Sequence, residues 1–118
     1  MKIRIKGNSL RYRLTRSDVA QLAAVVYVED KIDFGDRSLL YALQLTDADE
    51  LSATLVNDTI TLFMPGRMVR EWENTDKVGF ETRNGDLYLL VEKDFTCLDK
   101  VDEDQSDNYP NPLAAKTV

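Results

Sequence analysis

Three dipeptides, Gly7-Asn8, Asn57-Asp58 and Asn84-Gly85, each interrupt a run of residues that alternates in polarity, and together they commit the chain to tight β-hairpins. A two-residue loop fixes the register, so each turn names the pairs across it. Around Gly7-Asn8, Ile5 faces Leu10 and Ile3 faces Tyr12. Around Asn57-Asp58, Leu55 faces Ile60, Ala53 faces Leu62 and Leu51 faces Met64. Around Asn84-Gly85, Arg83 faces Asp86 and Lys77 faces Glu92, while Val78, Phe80, Leu87, Leu89 and Val91 share an apolar face.

Between the hairpins lie two helical signals. Thr15-Arg16-Ser17-Asp18 has capping-box spacing, and Val19, Leu22 and Ala23 follow on one helical face, which predicts a helix of about nine residues. Pro65-Gly66 stops a strand, and Met68, Val69 and Trp72 form the apolar stripe of a second short helix ending near Asn74, with Trp72 plugging the core. The stretches Val26 to Phe34 and Leu39 to Leu45 read as two further strands. The expected fold is α+β: a mainly antiparallel sheet of about eight strands in hairpins, open to barrel-like closure, with two short helices. Residues 1–98 form a single domain and residues 99–118 an acidic, proline-containing tail, with no internal repeat in the sequence.

Composition removes several classes of chemistry. The 118 residues contain no histidine and one cysteine, Cys97. Serine–histidine and cysteine–histidine catalysis, imidazole metal sites, an intrachain disulfide and a structural zinc site are therefore excluded within one chain. Cys97 sits between Asp94 and Asp99, which oppose thiolate formation, and reads as structural. The longest apolar run, Leu22 to Val28, falls far short of the roughly 20 residues of a membrane span. The amino terminus interleaves basic and apolar residues where a secretory signal would be continuously apolar. The expectation is a cytoplasmic protein without membrane contact, metal or cofactor.

The charge pattern is the feature that asks for a function. Residues 1–17 hold six Lys and Arg and no acid, so that segment is +6 and the remainder −12, which gives the net charge of −6. In the first hairpin the register puts Arg4 opposite Arg11 and Lys2 opposite Arg13, with Lys6 beside the turn, all on one face. Like charges across a strand pair cost roughly a few tenths to 1 kcal/mol. The face Lys2, Arg4, Lys6, Arg11 and Arg13 is therefore a candidate site for a small anion or an acidic protein segment, because Arg forks suit phosphate and carboxylate oxygens. The structural alternative is internal neutralisation, by Glu81, Glu92 and Asp94 or by the tail acids Asp99, Asp102, Glu103, Asp104 and Asp107. Nucleic acid is disfavoured by the overall charge and a sequence pI near 4.6.

Other motifs carry less. The run Asp102 to Asp107 has the oxygen density of a cation loop but lacks the glycine and terminal acid of an EF-hand. The pairs Glu92 with Asp94 and Asp47 with Asp49 have no geometry that would make them an acid and a base.

Two resemblances can be named. Leu90-Val91-Glu92-Lys93-Asp94-Phe95-Thr96-Cys97-Leu98-Asp99, followed by Glu103-Asp104 and Asn108-Tyr109-Pro110-Asn111-Pro112, together with the opening Lys2 to Arg11, resembles a small family of uncharacterised bacterial proteins. That resemblance implies no assigned activity, catalytic residue or cofactor. In outline the chain is also similar to the triphosphate tunnel enzymes, which would imply metal-dependent phosphohydrolysis inside a strand-lined lumen. Their opening motif alternates glutamates, whereas this chain has Lys2, Arg4 and Lys6 there. The reading with most support is a non-catalytic interaction or small-anion-binding module.

Overall fold

A computed structural model describes residues 1–95 and 106–112. The elements run β1 (Lys2–Lys6), β2 (Ser9–Leu14), α1 (Arg16–Val25), β3 (Tyr27–Asp33), β4 (Ser38–Thr46), β5 (Ser52–Val56), β6 (Thr59–Pro65), α2 (Gly66–Asn74), β7 (Gly79–Asn84) and β8 (Leu87–Lys93). The fold is α+β, with the eight strands in two four-stranded sheets, β1-β2-β8-β7 and β3-β4-β6-β5. Among the described residues no helix is long and apolar enough to cross a membrane.

Local chemistry explains the elements. Thr15 and Asp18 close a full capping box at the start of α1. Gly7 (φ +54°) and Gly85 (φ +60°) each take the left-handed position of their hairpin turn, and Asn57 and Asp58 both do so in the β5–β6 turn, as a mirror-image turn requires. The first two hairpins keep the expected register: Ile5 pairs Leu10, Ile3 pairs Tyr12, Leu55 pairs Ile60 and Ala53 pairs Leu62. The third does not. Its loop is Gly85-Asp86, so Asn84 pairs Leu87, Arg83 pairs Tyr88 and Gly79 pairs Glu92. The left-handed turn position falls on Gly85 while Asn84 stays in the strand, which shifts every pair by two and removes the Lys77–Glu92 match. Lys77 instead lies 3.9 Å from Glu71 and over the Phe80 ring.

Mainly antiparallel pairing also needs qualifying at the centre of each sheet. β2 runs parallel to β8, and β4 parallel to β6. The edges do not close into a barrel among the described residues. β1 comes beside β3 through the Met1 amine, 3.6 Å from Asp30, and β5 beside β7 through Asn84 Nδ2, which donates to the Leu51 carbonyl at 3.1 Å. No ladder joins either edge pair.

This topology contains a repeat that the sequence does not display. The unit ββαββ occurs twice, as β1-β2-α1-β3-β4 and β5-β6-α2-β7-β8. Read in the order β5-β6-β4-β3, the second sheet is the first with the units exchanged. The registers agree residue by residue. The pair Ile3 with Tyr12 becomes Ala53 with Leu62 at an offset of 50 (3 to 53, 12 to 62), and Val28 with Leu43 becomes Phe80 with Val91 at offsets of 52 and 48. The parallel pair Tyr12 with Val91 maps onto Leu62 with Leu43. Hydrogen bonds outside the ladders follow: Tyr88 N–H donates to the Asn8 carbonyl at 3.0 Å as Leu40 N–H does to Asp58 at 2.9 Å. Equivalent side chains differ in kind but agree in burial, as with Leu14 and Met64, or Leu22 and Trp72.

The core lies between the sheets and under the helices, around Tyr12, Leu14, Leu22, Leu43, Leu62, Met64, Val69, Trp72, Leu89 and Val91. Tyr12 is fully buried; its hydroxyl donates to the Ile60 carbonyl at 3.2 Å, and burial pushes its pKa well up. One strained point stands at the end of α1, where Val26 adopts φ +59°, a left-handed conformation that is costly for a β-branched residue. Val26 is also about half exposed, at 53%. Val26→Gly is expected to raise stability by roughly 0.5–1 kcal/mol, the relief of strain exceeding the added unfolded-state entropy. A higher midpoint in chemical denaturation at unchanged slope is the expected reading, and a lower one would contradict it.

Candidate functional site

Alternation along β1 and β2 sends Ile3, Leu10 and Tyr12 toward the core and Lys2, Arg4, Lys6, Arg11 and Arg13 to the outer face of the β1-β2-β8-β7 sheet. The like-charged pairs are present as expected, Arg4 opposite Arg11 and Lys2 opposite Arg13. Glu92 of β8 and Asp94, which directly follows that strand, then supply two carboxylates to that face. Glu92 Oε1 accepts from Arg11 Nε at 2.6 Å and from Arg13 Nε at 3.0 Å, and Arg11 Nη2 lies 2.5 Å from the same oxygen. Asp94, almost fully buried, has its Oδ2 3.1 Å from Lys2 Nζ, an ion pair by distance without the alignment of a hydrogen bond. The parallel β2–β8 ladder places Glu92 beside Arg13, while on the other edge of β8 its partner is Gly79.

The five cations therefore divide. Lys2, Arg11 and Arg13 have carboxylate partners, while Arg4 and Lys6 make no ion pair among the described residues. These two line a depression of about 200 Å³ on the outer face, together with Ser9, Leu10, Arg11, Tyr88 and Leu90. Glu81, the remaining candidate neutraliser, accepts a short hydrogen bond from the Tyr88 hydroxyl, and Arg83 stacks over the Tyr88 ring at 5.3 Å.

Of the tail acids, Asp107 is described, and it turns to the start of α1 and not to the basic face. Its carboxylate accepts from the Ser17 hydroxyl at 3.0 Å and its carbonyl from Arg16 N–H at 3.2 Å. Hydrogen bonds from Thr15 and Ser17 hold its carboxyl below the usual carboxylate range. A parallel bridge between Phe95 and Tyr109, and the Lys93 ammonium 5.0 Å above the Tyr109 ring, fasten the rest of the segment. Asp99, Asp102, Glu103, Asp104 and Cys97 lie outside the described residues, as does most of the acidic run considered as a cation loop. Among the described residues no group of three or more potential metal ligands comes together.

A lumen of the tunnel kind needs its charged side chains pointing inward. Here the inward positions of β1 and β2 are Ile3, Ile5, Leu10, Tyr12 and Leu14, and the alternating basic residues point out.

The repeat supplies a control that the sequence could not. Lys2, Arg4 and Lys6 correspond to Ser52, Thr54 and Val56, Arg11 and Arg13 to Thr61 and Phe63, and Glu92 and Asp94 to Gln44 and Thr46. The same backbone is thus built in the second sheet without any of these charges. A family model described as a family of unknown function (DUF7009) matches residues 1–113. No curated protein and no solved structure gives a significant match.

Proposed function

The chain belongs to this family of unknown function, whose description brings no activity with it, and from the geometry we propose that it is a non-catalytic module binding a small anion at Arg4 and Lys6. The observation that carries the reading is that these two cations share a depression, lack carboxylate partners among the described residues, and stand where the equivalent unit has Thr54 and Val56. A guanidinium and an ammonium side by side repel each other, and an anion between them removes that repulsion while gaining charge-assisted hydrogen bonds. Arg11 forms the third side, already half-neutralised by Glu92, so a ligand of one or two negative charges balances the pocket. Among the described residues, internal neutralisation accounts for Lys2, Arg11 and Arg13 and leaves Arg4 and Lys6 over.

Titration with phosphate, a nucleotide and polyphosphate at low salt tests the proposal. Binding is expected to weaken by about tenfold or more in the Arg4→Ala, Lys6→Ala double variant, in line with the loss of one or two charge-assisted hydrogen bonds. It should also weaken as salt is raised. No binding by the wild type, or binding indifferent to the double substitution, would sink it.

A further inference from the structure

On the other side of the β1–β2 hairpin a cleft of about 340 Å³ opens between the sheets. Its walls are Ile5 and Leu10 from the first unit and Leu55 and Ile60 from the second, positions related by the offset of 50, and among the described residues no carboxylate lines it. Ile5 is 61% and Leu55 70% exposed, so two branched aliphatic side chains stand open at its mouth. The cleft and the Arg4–Lys6 depression share Ser9 and Leu10, and Gly7 and Asn8, which directly follow Lys6, belong to the cleft wall. The lysine's flexible stem therefore starts at the cleft's lip.

We propose that the cleft takes the aliphatic chain of a small anionic amphiphile whose headgroup lies on Arg4 and Lys6, the headgroup assignment resting on the anion reading above. Charge complementarity selects this occupant. Cations without carboxylate partners among the described residues lie on one side of the hairpin's turn end and an aliphatic wall on the other, the two meeting at Ser9 and Leu10. That is the polarity of an alkyl phosphate, sulfate or carboxylate. A bare polyanion would leave the apolar wall in water, and a neutral hydrocarbon would leave the two cations unmatched. Each two methylenes buried are worth about tenfold in affinity.

The test is calorimetric titration of the whole chain with octyl phosphate, inorganic phosphate and octanol at low salt. Octyl phosphate is expected to bind at least about tenfold more tightly than inorganic phosphate. Leu55→Asn, at a position exposed enough to leave the melting curve unchanged, should abolish that advantage while phosphate binding stays as it was. Arg4→Ala with Lys6→Ala should weaken both anions. Equal affinity for octyl phosphate and phosphate overturns the cleft assignment and leaves the anion reading standing. Octanol binding as tightly as octyl phosphate, with no effect of the double substitution, overturns the headgroup assignment and the amphiphile with it. Absence of binding by all three overturns both.

Discussion

Glu92→Ala is expected to destabilise the protein by about 2–3 kcal/mol, well above the 0–1 kcal/mol of an ordinary surface ion pair. One carboxylate oxygen carries Arg11 Nε at 2.6 Å, Arg11 Nη2 at 2.5 Å and Arg13 Nε at 3.0 Å. Its side chain is only 13% exposed, and those of Arg11 and Arg13 are 30% and 42% exposed. Removing it strands two arginines beside Arg4 and Lys6 on a face whose remaining described carboxylate partner, Asp94, is engaged with Lys2. The loss should be larger at low salt, because repulsion among the cations is screened as salt rises. Added phosphate should restore part of it, since an oxyanion can accept the same N–H donors. Denaturant titrations of wild type, Glu92→Ala and Glu92→Gln, with and without phosphate, measure all three effects. A loss under about 0.5 kcal/mol would mean that the bridge behaves as a solvated pair.

Trp72→Ala should have the largest effect on folding, about 3–5 kcal/mol, a substantial part of the 5–15 kcal/mol that holds a typical domain together. Trp72 is 3% exposed and lies against Phe80 with ring centroids 5.6 Å apart. Its indole N–H finds no hydrogen-bond partner among the described residues. That orphan makes a contrasting prediction: Trp72→Phe keeps much of the apolar contact, removes an unsatisfied donor and should cost no more than about 1 kcal/mol. Because Trp72 is the single tryptophan, unfolding of both variants should be followed by far-ultraviolet circular dichroism. Similar losses for Ala and Phe would show that shape, and not the cavity, governs the site.

What could be read in advance was what neighbouring residues decide among themselves. The Thr15 to Asp18 cap, the helix carrying Met68, Val69 and Trp72, and the Ile3–Tyr12 and Ala53–Leu62 pairs all depend on a few adjacent side chains, and all are present. Asn84-Gly85 misled because the dipeptide names a turn without saying which residue begins it. The left-handed position fell to Gly85, and a shift of two set Glu92 opposite Gly79 in place of Lys77, while its arginine contacts come from β2 on the other edge of β8. The basic face was legible for the same local reason, but its division into cations with and without a carboxylate partner among the described residues was not. That division depends on the β2–β8 contact, a parallel pairing between segments about eighty residues apart that no turn specifies. The repeat was hidden because a core asks only for volume and apolarity at each site, so Leu22 answers to Trp72 and Tyr12 to Leu62 without resemblance.

The two parallel ladders, alike in geometry, are unlike in when they can form as the chain emerges from the ribosome. The β4–β6 contact joins segments separated by a single hairpin strand, so the β3-β4-β6-β5 sheet is complete once residue 65 has been made. The β1–β2 hairpin is made first and reaches its native neighbour last, since β8 ends at Lys93. At roughly 5–20 residues per second that wait lasts several seconds. Through that interval Arg11 and Arg13 have no Glu92, and the hairpin stands as a bare cationic ribbon whose own partners have yet to be synthesised.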